Sequence, residues 1–225
     1  MTTQRATSVA VEGYLSAVYE MASEGVPTIG ARVAEWLQLT PPTVNGMVRR
    51  MARMGLVVLN NRKEIVLTTK GESLAADIVR RHRLAERFLV DTLGLEWHRA
   101  HEEARRWGHA LSIDAETRLA AFLGAPKTCP HGNPIPGSGY TPPANVRSLK
   151  DAKEDQRVVV ERIFEEIELN RDILAFLEKS GIRPGKELTV LQVAPYLGTV
   201  TVESQGEKIS LGLRIADKIW VRPAA

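Results

Sequence analysis

Four of the five histidines in this 225-residue chain lie between His82 and His109, and histidine is the commonest metal ligand among side chains. His82 and Glu86 are four residues apart in a segment of helical periodicity, so their side chains share one face. An imidazole and a carboxylate at this spacing can hold a divalent ion, and His101 in the following helix can supply a third ligand. Taken singly, each histidine is more often a packing or surface residue. The set of histidines together favours a metal site.

Other kinds of chemistry are poorly represented. No Ser/His/Asp arrangement, phosphate-binding loop or activated cysteine stands out, so we predict that the chain is not an enzyme. The single cysteine, Cys129, excludes an intramolecular disulfide and a four-cysteine zinc site, which fits a reducing compartment. The sequence has no run of about 18 apolar residues and no secretory apolar core at its start. We therefore expect a cytoplasmic protein without a membrane span.

The positive charge of the chain is concentrated in its first third. Hydrophobic residues make up 44% and charged residues 25% of the sequence, which excludes collagen-like, coiled-coil and fully disordered chains. The net charge is only +3, but residues 26–70 carry seven Lys/Arg against two Glu, a local charge of +5. The segments 71–125 and 156–225 are close to neutral. A polyanion would therefore bind to the first third of the chain.

This basic segment has the pattern of a winged helix-turn-helix. Apolar side chains at helical spacing predict three helices, of which the second is capped by Thr28 and the third by Thr40. Two short strands joined by a four-residue turn follow the third helix. The predicted helices and strands cover residues 8–21, 28–37, 40–54, 56–59 and 64–68.

The third helix has a polar face opposite its apolar stripe. In a helix-turn-helix protein this face enters the major groove, where hydroxyl, amide and guanidinium groups contact base edges and phosphates. The alternative is a winged helix used for protein contacts, and the local charge favours DNA. The candidate DNA-contacting residues, including two at the hairpin tip, are Thr40, Pro42, Thr43, Asn45, Arg49, Arg50, Arg53, Arg62 and Lys63.

The rest of the chain is predicted to be helical and then β-rich. Helical periodicity covers residues 70–93, 96–112 and 114–123, and such helices beside a winged helix commonly form a dimer interface. After a Gly/Pro-rich loop and a polar linker, a small β-barrel is predicted from a helix and four strands over 170–179, 187–193, 198–204, 207–211 and 218–221. The fold is therefore mainly α with β. The predicted domains are a winged-helix DNA-binding domain (1–69), a helical dimerisation and metal-binding domain (70–140), a linker (141–155) and the β-barrel domain (156–225).

Three segments strongly resemble the DtxR/IdeR/MntR family of metal-dependent transcriptional repressors. They are RHRLAER at 81–87, HEEARRWGH at 101–109 and GNPIPG at 132–137, and the first helix and winged helix match in the same register. The resemblance implies a homodimer that binds a palindromic operator, with a C-terminal SH3-like domain of the FeoA type. It also implies a divalent cofactor, Fe(II) or Mn(II), which Zn(II) or Co(II) can replace.

The resemblance further assigns individual residues. In the helix 42–54, Thr43, Asn45 and Arg50 fall on DNA-contacting positions, and Gly46 replaces a glutamine contact seen in some members. The ancillary metal site of the family is matched by His82, Glu86, His101, Glu165 and Glu168. Three positions that hold an anion beside that metal are matched by Arg83, Cys129 and Asn133.

The primary, activating metal site of the family is where this sequence departs from the pattern. Its ligand positions hold Gly13, Arg105, Gly108 and His109, of which only His109 can bind metal, because a guanidinium repels a divalent cation. The resemblance thus implies a degenerate primary site with His109 as its residual ligand. The alternative is a metal-independent DNA-binding regulator in which Arg105 replaces the activating metal, pairing with Glu12 or with backbone carbonyls.

Overall fold

A computed structural model describes residues 8–224, in two compact units that meet in the sequence between Arg81 and His82. Residues 1–7 and Ala225, which belong to the predicted first and last domains, lie outside the described residues. Among the residues described, no helix is long and apolar enough to cross a membrane.

The first unit is a winged helix-turn-helix, as the sequence predicts. Three helices precede a two-stranded antiparallel hairpin, and the first part of α4 follows. One side of α3 is buried in the core through Val44, Val48 and Met51. The elements are α1 (Val9–Ser23), α2 (Gly30–Leu37), α3 (Pro41–Arg53), β1 (Val57–Leu59), β2 (Ile65–Leu67) and α4 (Thr69–Arg87).

The predicted cap at Thr28 is wrong. The N-cap of α2 is Ile29, and no side chain caps it. The Thr28 carbonyl accepts a hydrogen bond from Ile65 N at 3.0 Å, and Ile29 forms a bridge with Glu64. Residues 28 and 29 therefore lie against the hairpin through a single isolated bridge, and Thr28 is buried and outside the helix start. Thr40 is confirmed as the N-cap of α3, although its hydroxyl bonds that of Thr43 at 2.9 Å and no backbone N–H.

Two of the three helices predicted over 70–123 are shorter than predicted, and the third has the predicted length. The helix expected over 70–93 is α4 followed by a π-helical turn at Phe88–Thr92. The helix expected over 96–112 is a 3₁₀ turn, Trp97–Arg99, that continues into α5 (Ala100–Gly108). The last helix of this region, α6 (Ile113–Phe122), starts at Ser112, whose side chain accepts a hydrogen bond from Ala115 N at 3.2 Å.

The C-terminal module is built on one antiparallel sheet with strand order β3-β8-β4-β5-β6-β7. Its alternate apolar residues face a single core, and bulges at Val160/Arg162 and Val190/Gln192 bend the sheet. The four predicted strands and the helix are confirmed, and β4 was missed. The elements are β3 (Arg147–Ser148), β4 (Arg157–Ile163), α7 (Glu165–Glu168), α8 (Arg171–Lys179), β5 (Glu187–Ala194), β6 (Thr199–Ser204), β7 (Glu207–Gly212), α9 (Leu213–Ala216) and β8 (Ile219–Pro223).

Two contributions to this module come from the segment predicted as a linker. β3 pairs with β8, and Leu149 is fully buried in the module's core. Ala152 belongs to the same core, and the polar composition of the rest of 141–155 gives no sign of this packing.

Candidate metal centre and DNA-binding face

The second unit brings together the predicted metal ligands of α4 and α5. His82 and Glu86 lie on one face of α4, and His101 is the second residue of α5, and all three are buried. Glu86 Oε1 lies 3.2 Å from His82 Nε2 and 3.2 Å from His101 Nδ1, and the two imidazole nitrogens are 3.2 Å apart. Ligand atoms about 2.1 Å from one ion are about 3.0–3.4 Å from each other. The spacing therefore matches the ligands of a single cation.

The short helix α7 supplies two further carboxylates. Glu165 and Glu168 are its first and fourth residues, so both point to the same side, and both are buried. Glu168 Oε2 lies 3.0 Å and Glu165 Oε1 3.8 Å from His101 Nδ1. The structure thus gathers all five predicted ligands in one buried cluster, and their role as metal ligands stays a prediction.

A loop adds two candidate ligands that the sequence analysis did not assign to the metal. His131 Nδ1 lies 3.2 Å from Glu168 Oε2 and 3.6 Å from Glu86 Oε1. Cys129, which the resemblance placed at an anion position, is fully buried, and its sulfur lies within 4.8 Å of ligand atoms of Glu86, His131 and Glu168. The thiol therefore faces a group of candidate metal ligands.

The signal for this loop was the run Cys-Pro-His-Gly at 129–132. Gly132 has φ +88°, and a Cβ there would lie 2.1 Å from the Glu161 carbonyl oxygen, so only glycine lets the loop approach β4 this closely. Ile163 N donates to the His131 carbonyl at 2.8 Å, and Cys129 N donates to the Asn133 carbonyl at 2.8 Å. These bonds turn the Cys129 and His131 side chains toward α7.

The candidate ligands form two adjoining groups. Within each group, one ligand atom per residue lies within 4.8 Å of the others. The groups are Glu86, Cys129, His131 and Glu168, and His82, His101 and Glu165. Since His101 Nδ1 of the second group lies close to two carboxylates of the first, the cluster can hold one cation, or two side by side.

Three buried carboxylates dominate the electrostatics of the cluster. Burial raises the pKa of Glu86, but the facing imidazoles, His82 foremost, bring that pKa well below its ordinary value. Burial likewise opposes ionisation of Glu165, and the Arg83 guanidinium makes the net shift of its pKa downward. Burial and the charge of Glu165 raise the pKa of Glu168. Glu86 and Glu165 therefore ionise more readily than ordinary carboxyl groups, whereas Glu168 ionises less readily.

The nitrogen and sulfur groups of the cluster hold their protons to higher pH than usual, and the protons on the imidazoles balance part of this negative charge. Burial lowers the pKa of His101, but contacts with Glu168 and Glu86 bring it well above its ordinary value. The pKa of His131 is also raised, because the same carboxylates outweigh burial. Burial, with those two charges, raises the pKa of the Cys129 thiol well above its ordinary value. A divalent cation would displace these protons.

Two of the predicted anion-binding residues hold the carboxylates of α7. Arg83 Nη2 lies 2.9 Å from Glu165 Oε2, and Arg83 Nη1 donates to the Pro134 carbonyl. The Asn133 amide donates to the Glu168 carboxylate. Such outer hydrogen bonds commonly orient the ligands of metal sites.

A divalent cation fits this set of donors. Glu86 Oε2 is buried and has no hydrogen-bond partner among the described residues, and an unsatisfied buried polar group costs about 1–3 kcal/mol. Imidazole and carboxylate together suit Fe(II), Mn(II), Co(II) and Zn(II). A bound ion would satisfy Glu86 Oε2.

The four positions that match the family's primary site do not belong to the two groups of candidate ligands. Gly13 lies in α1, where a Cβ would meet no described atom within 4 Å. Arg105 is exposed on α5, and His109 is its half-buried C-cap. A Cβ at Gly108 would lie 3.4 Å from His82 Cα, an ordinary contact. The degenerate primary site and the residual role of His109 stay predictions.

The predicted DNA-contacting residues are all exposed in the first unit. Those of α3 lie opposite its buried face. At the hairpin tip, Asn60 Oδ1 accepts hydrogen bonds from the backbone N–H groups of Arg62 and Glu64, each at 2.9 Å, and Lys63 has φ +60°. The exposed set is Thr40, Pro42, Thr43, Asn45, Arg49, Arg50, Arg53, Arg62 and Lys63.

Comparison with known proteins gives three family matches in chain order. Residues 6–65 match the N-terminal DNA binding domain of iron dependent repressors, residues 68–137 their metal binding and dimerisation domain, and residues 147–223 the FeoA domain. The chain is 38% identical over 220 residues to the iron-dependent repressor IdeR of Mycobacterium tuberculosis (strain ATCC 25618 / H37Rv), covering 93% of this chain and 95% of that protein. It is 36% identical over 208 residues to the diphtheria toxin repressor of Corynebacterium diphtheriae, covering 89% and 91%.

A solved structure of similar fold is that of a manganese-dependent transcriptional repressor in complex with manganese. Its TM-score is 0.82 at 31% identity, and the match covers 95% of this chain and 100% of that chain. A winged helix, a helical metal-binding and dimerisation domain and a FeoA domain, in this order, define the class of metal-dependent DNA-binding transcriptional repressors. Within this class, the chain belongs to the DtxR/IdeR/MntR family of metal-dependent repressors. The predicted family and fold class, and the prediction that the chain is a regulator and not an enzyme, are confirmed.

Proposed function

We propose that this protein is a homodimeric repressor of a palindromic operator and that a divalent cation in the buried cluster prepares it for DNA binding. Fe(II) or Mn(II) is the proposed ion. Candidates for its ligands come from α4, α5, the loop after α6 and α7. One ion of this kind binds about six of them at most, and the candidates are His82, Glu86, His101, Cys129, His131, Glu165 and Glu168.

The burial of three carboxylates against three imidazoles carries this proposal. Glu86 is on α4, His101 on α5 and Glu168 on α7, so segments far apart in sequence meet at one charged point. When bound, the ion would supply the positive charge that lets these carboxylates lie together without protons. The relative positions of α4, α5 and α7 then depend on whether an ion or protons neutralise the carboxylates. Metal binding can therefore change how these three helices are arranged.

A second copy of this chain is the proposed partner of the helical domain. Large apolar side chains in its helices and the adjoining turns are exposed: Leu93 by 56%, Ile113 by 71% and Phe122 by 68%. These residues lie within the segment that matches a metal binding and dimerisation domain, which supports a partner of the same kind for this surface. A two-fold dimer would present two α3 helices to half-sites about 34 Å apart along the duplex.

Duplex binding measured against a series of metal concentrations tests the proposal. Wild-type protein should bind operator DNA tightly with Mn(II) or Fe(II) and weakly with a chelator. His101→Ala should require more metal for the same binding, whereas the matched removal of an exposed charge, Glu203→Gln, should behave as wild type. Light scattering should report a dimer.

Equal duplex binding with metal and with chelator would contradict the proposal. That result would favour the metal-independent alternative with Arg105. Binding with no steep dependence on salt would instead argue against DNA as the partner.

A further inference from the structure

We propose that Glu178 and Trp97 are positioning residues of the metal centre, which dock the C-terminal module on the start of α5 before any metal binds. This inference rests on the proposed function, since it concerns how the same centre is assembled. Neither residue belongs to the proposed ligands.

Glu178, near the end of α8, receives hydrogen bonds from the turn that leads into α5. Its Oε1 accepts from Trp97 N and its Oε2 from His98 N, each at 3.2 Å. His98 Nδ1 lies 2.6 Å from Oε2, and Arg183 Nη1 donates to Oε1 at 3.3 Å. One carboxylate of the C-terminal module thus binds two successive backbone N–H groups of the helical domain.

These two N–H groups belong to the class that a helix leaves unsatisfied. The first N–H groups of a helix have no acceptor inside it, and a negative charge at this end is favourable. Glu96, the N-cap of the 3₁₀ turn, makes no side-chain cap hydrogen bond. Glu178 therefore takes the place of a local cap, and the start of the helix that carries His101 depends on the docking of α8.

Trp97 joins the same turn to the core of the C-terminal module. Its side chain is 3% exposed and packs in one core cluster with Leu174 and Leu177 of α8. Its indole Nε1 donates to the Pro130 carbonyl at 3.0 Å, which fixes the loop that carries His131.

Trp97 also fixes the ring of His131 directly. The two ring centroids are 4.5 Å apart, and His131 Nε2 lies 3.3 Å from the Trp97 carbonyl oxygen. A backbone carbonyl at one ring nitrogen holds that nitrogen as the N–H donor and leaves the other for a metal. In this orientation Nδ1 is the nitrogen left for a metal, and it lies 3.2 Å from Glu168 Oε2.

Because these contacts need no metal, His101 and His131 should be aimed at α7 in the metal-free protein. A centre assembled in advance binds more tightly, since no segment has to be ordered when the ion enters. Loss of the Glu178 contacts should therefore weaken metal binding without removing a ligand.

The test compares full-length wild type with Glu178→Gln, His101→Ala and the exposed control Glu203→Gln. Mn(II) affinity and stoichiometry are measured by competition with a chromophoric chelator, and amide hydrogen exchange is measured on metal-free protein. Glu178→Gln should lower Mn(II) affinity about tenfold, or about 1.4 kcal/mol, with unchanged stoichiometry. It should also speed exchange of the amides of Trp97 and His98, while Glu203→Gln changes neither.

The outcomes separate this inference from the proposed function. Affinity and amide exchange in Glu178→Gln equal to those of Glu203→Gln would overturn the positioning role, even if His101→Ala still lost metal. Wild-type metal binding by His101→Ala would overturn the ligand assignment instead. If circular dichroism shows that Glu178→Gln is unfolded, the same test uses Trp97→Phe, which keeps an aromatic ring but lacks the indole N–H. This variant should bind Mn(II) more weakly than wild type. An unchanged affinity would contradict the inference.

Discussion

Binding of a divalent ion to this centre should release protons, and the structure identifies the groups that release them. The pKa of the Cys129 thiol is raised well above its ordinary value, so the thiol is protonated at neutral pH, yet the thiolate is the form that binds metal. The pKa values of His101, His131 and Glu168 are raised as well, so these groups hold protons to higher pH than usual. We therefore expect protons to leave these groups when the centre fills.

Proton release gives the pH dependence of metal affinity. Each displaced proton contributes about a tenfold change in apparent affinity per pH unit. The rise should become less steep once the pH passes the raised pKa of His101, and it should continue as long as the Cys129 thiol still has a proton to lose.

Calorimetric titration in two buffers of different ionisation enthalpy counts the protons. Cys129→Ser should release about one proton fewer than wild type and bind the ion more weakly, and His101→Ala should also release one fewer. Glu203→Gln should match wild type. Proton release near zero in wild type, or unchanged release in Cys129→Ser, would refute the ligand role of these groups.

Three further perturbations follow from the fold and the charges. In metal-free protein, the stabilising contribution of His101 is complete below its unfolded pKa of about 6.5 and is lost as pH rises through its raised folded pKa. Urea titrations should therefore show that the free energy of unfolding falls toward alkaline pH, and that it falls less in His101→Ala. Arg53→Ala should weaken binding to every duplex and reduce the slope of log affinity against log salt by about 1.8, or about 0.9 for each of the two copies of Arg53 in the proposed dimer, as measured by fluorescence anisotropy. Leu149→Ala should cost about 2–5 kcal/mol in chemical denaturation, whereas the exposed Leu197→Ala should change stability by less than about 0.5 kcal/mol.

One more variant addresses the degenerate primary site. Arg105 is exposed, and Arg105→Ala should leave the metal requirement for duplex binding unchanged, as measured with a chelator and with added Mn(II). Duplex binding by metal-free wild type that disappears in Arg105→Ala would support the fixed-cation alternative.

Local periodicity was enough to predict the parts of the fold that are themselves local. The pair His82 and Glu86 follows from helical spacing, and the buried and exposed faces of α3 follow from its apolar stripe. The strand β4 was missed although Val158 and Val160 alternate inward, because Arg and Glu share the strand and its partners β5 and β8 lie far along the chain.

Contacts between residues distant in sequence account for the features that the sequence alone did not predict. His131 lies in a Gly/Pro-rich loop, and nothing local shows that this loop is held against β4 and faces Glu168, 37 residues later in the numbering. Glu165 and Glu168 entered the prediction only through the family resemblance. Thr28 has the residue type of a helix cap, but its carbonyl is engaged by Ile65 of the hairpin.

Anomalous diffraction from crystals grown with Mn(II) tests the buried metal centre most directly. Anomalous density is predicted among Glu86, His101, His131 and Glu168, at bonding distance from their nitrogen and oxygen atoms. Density confined to other places, such as the surroundings of His109, with this cluster empty at saturating Mn(II), would contradict the assignment.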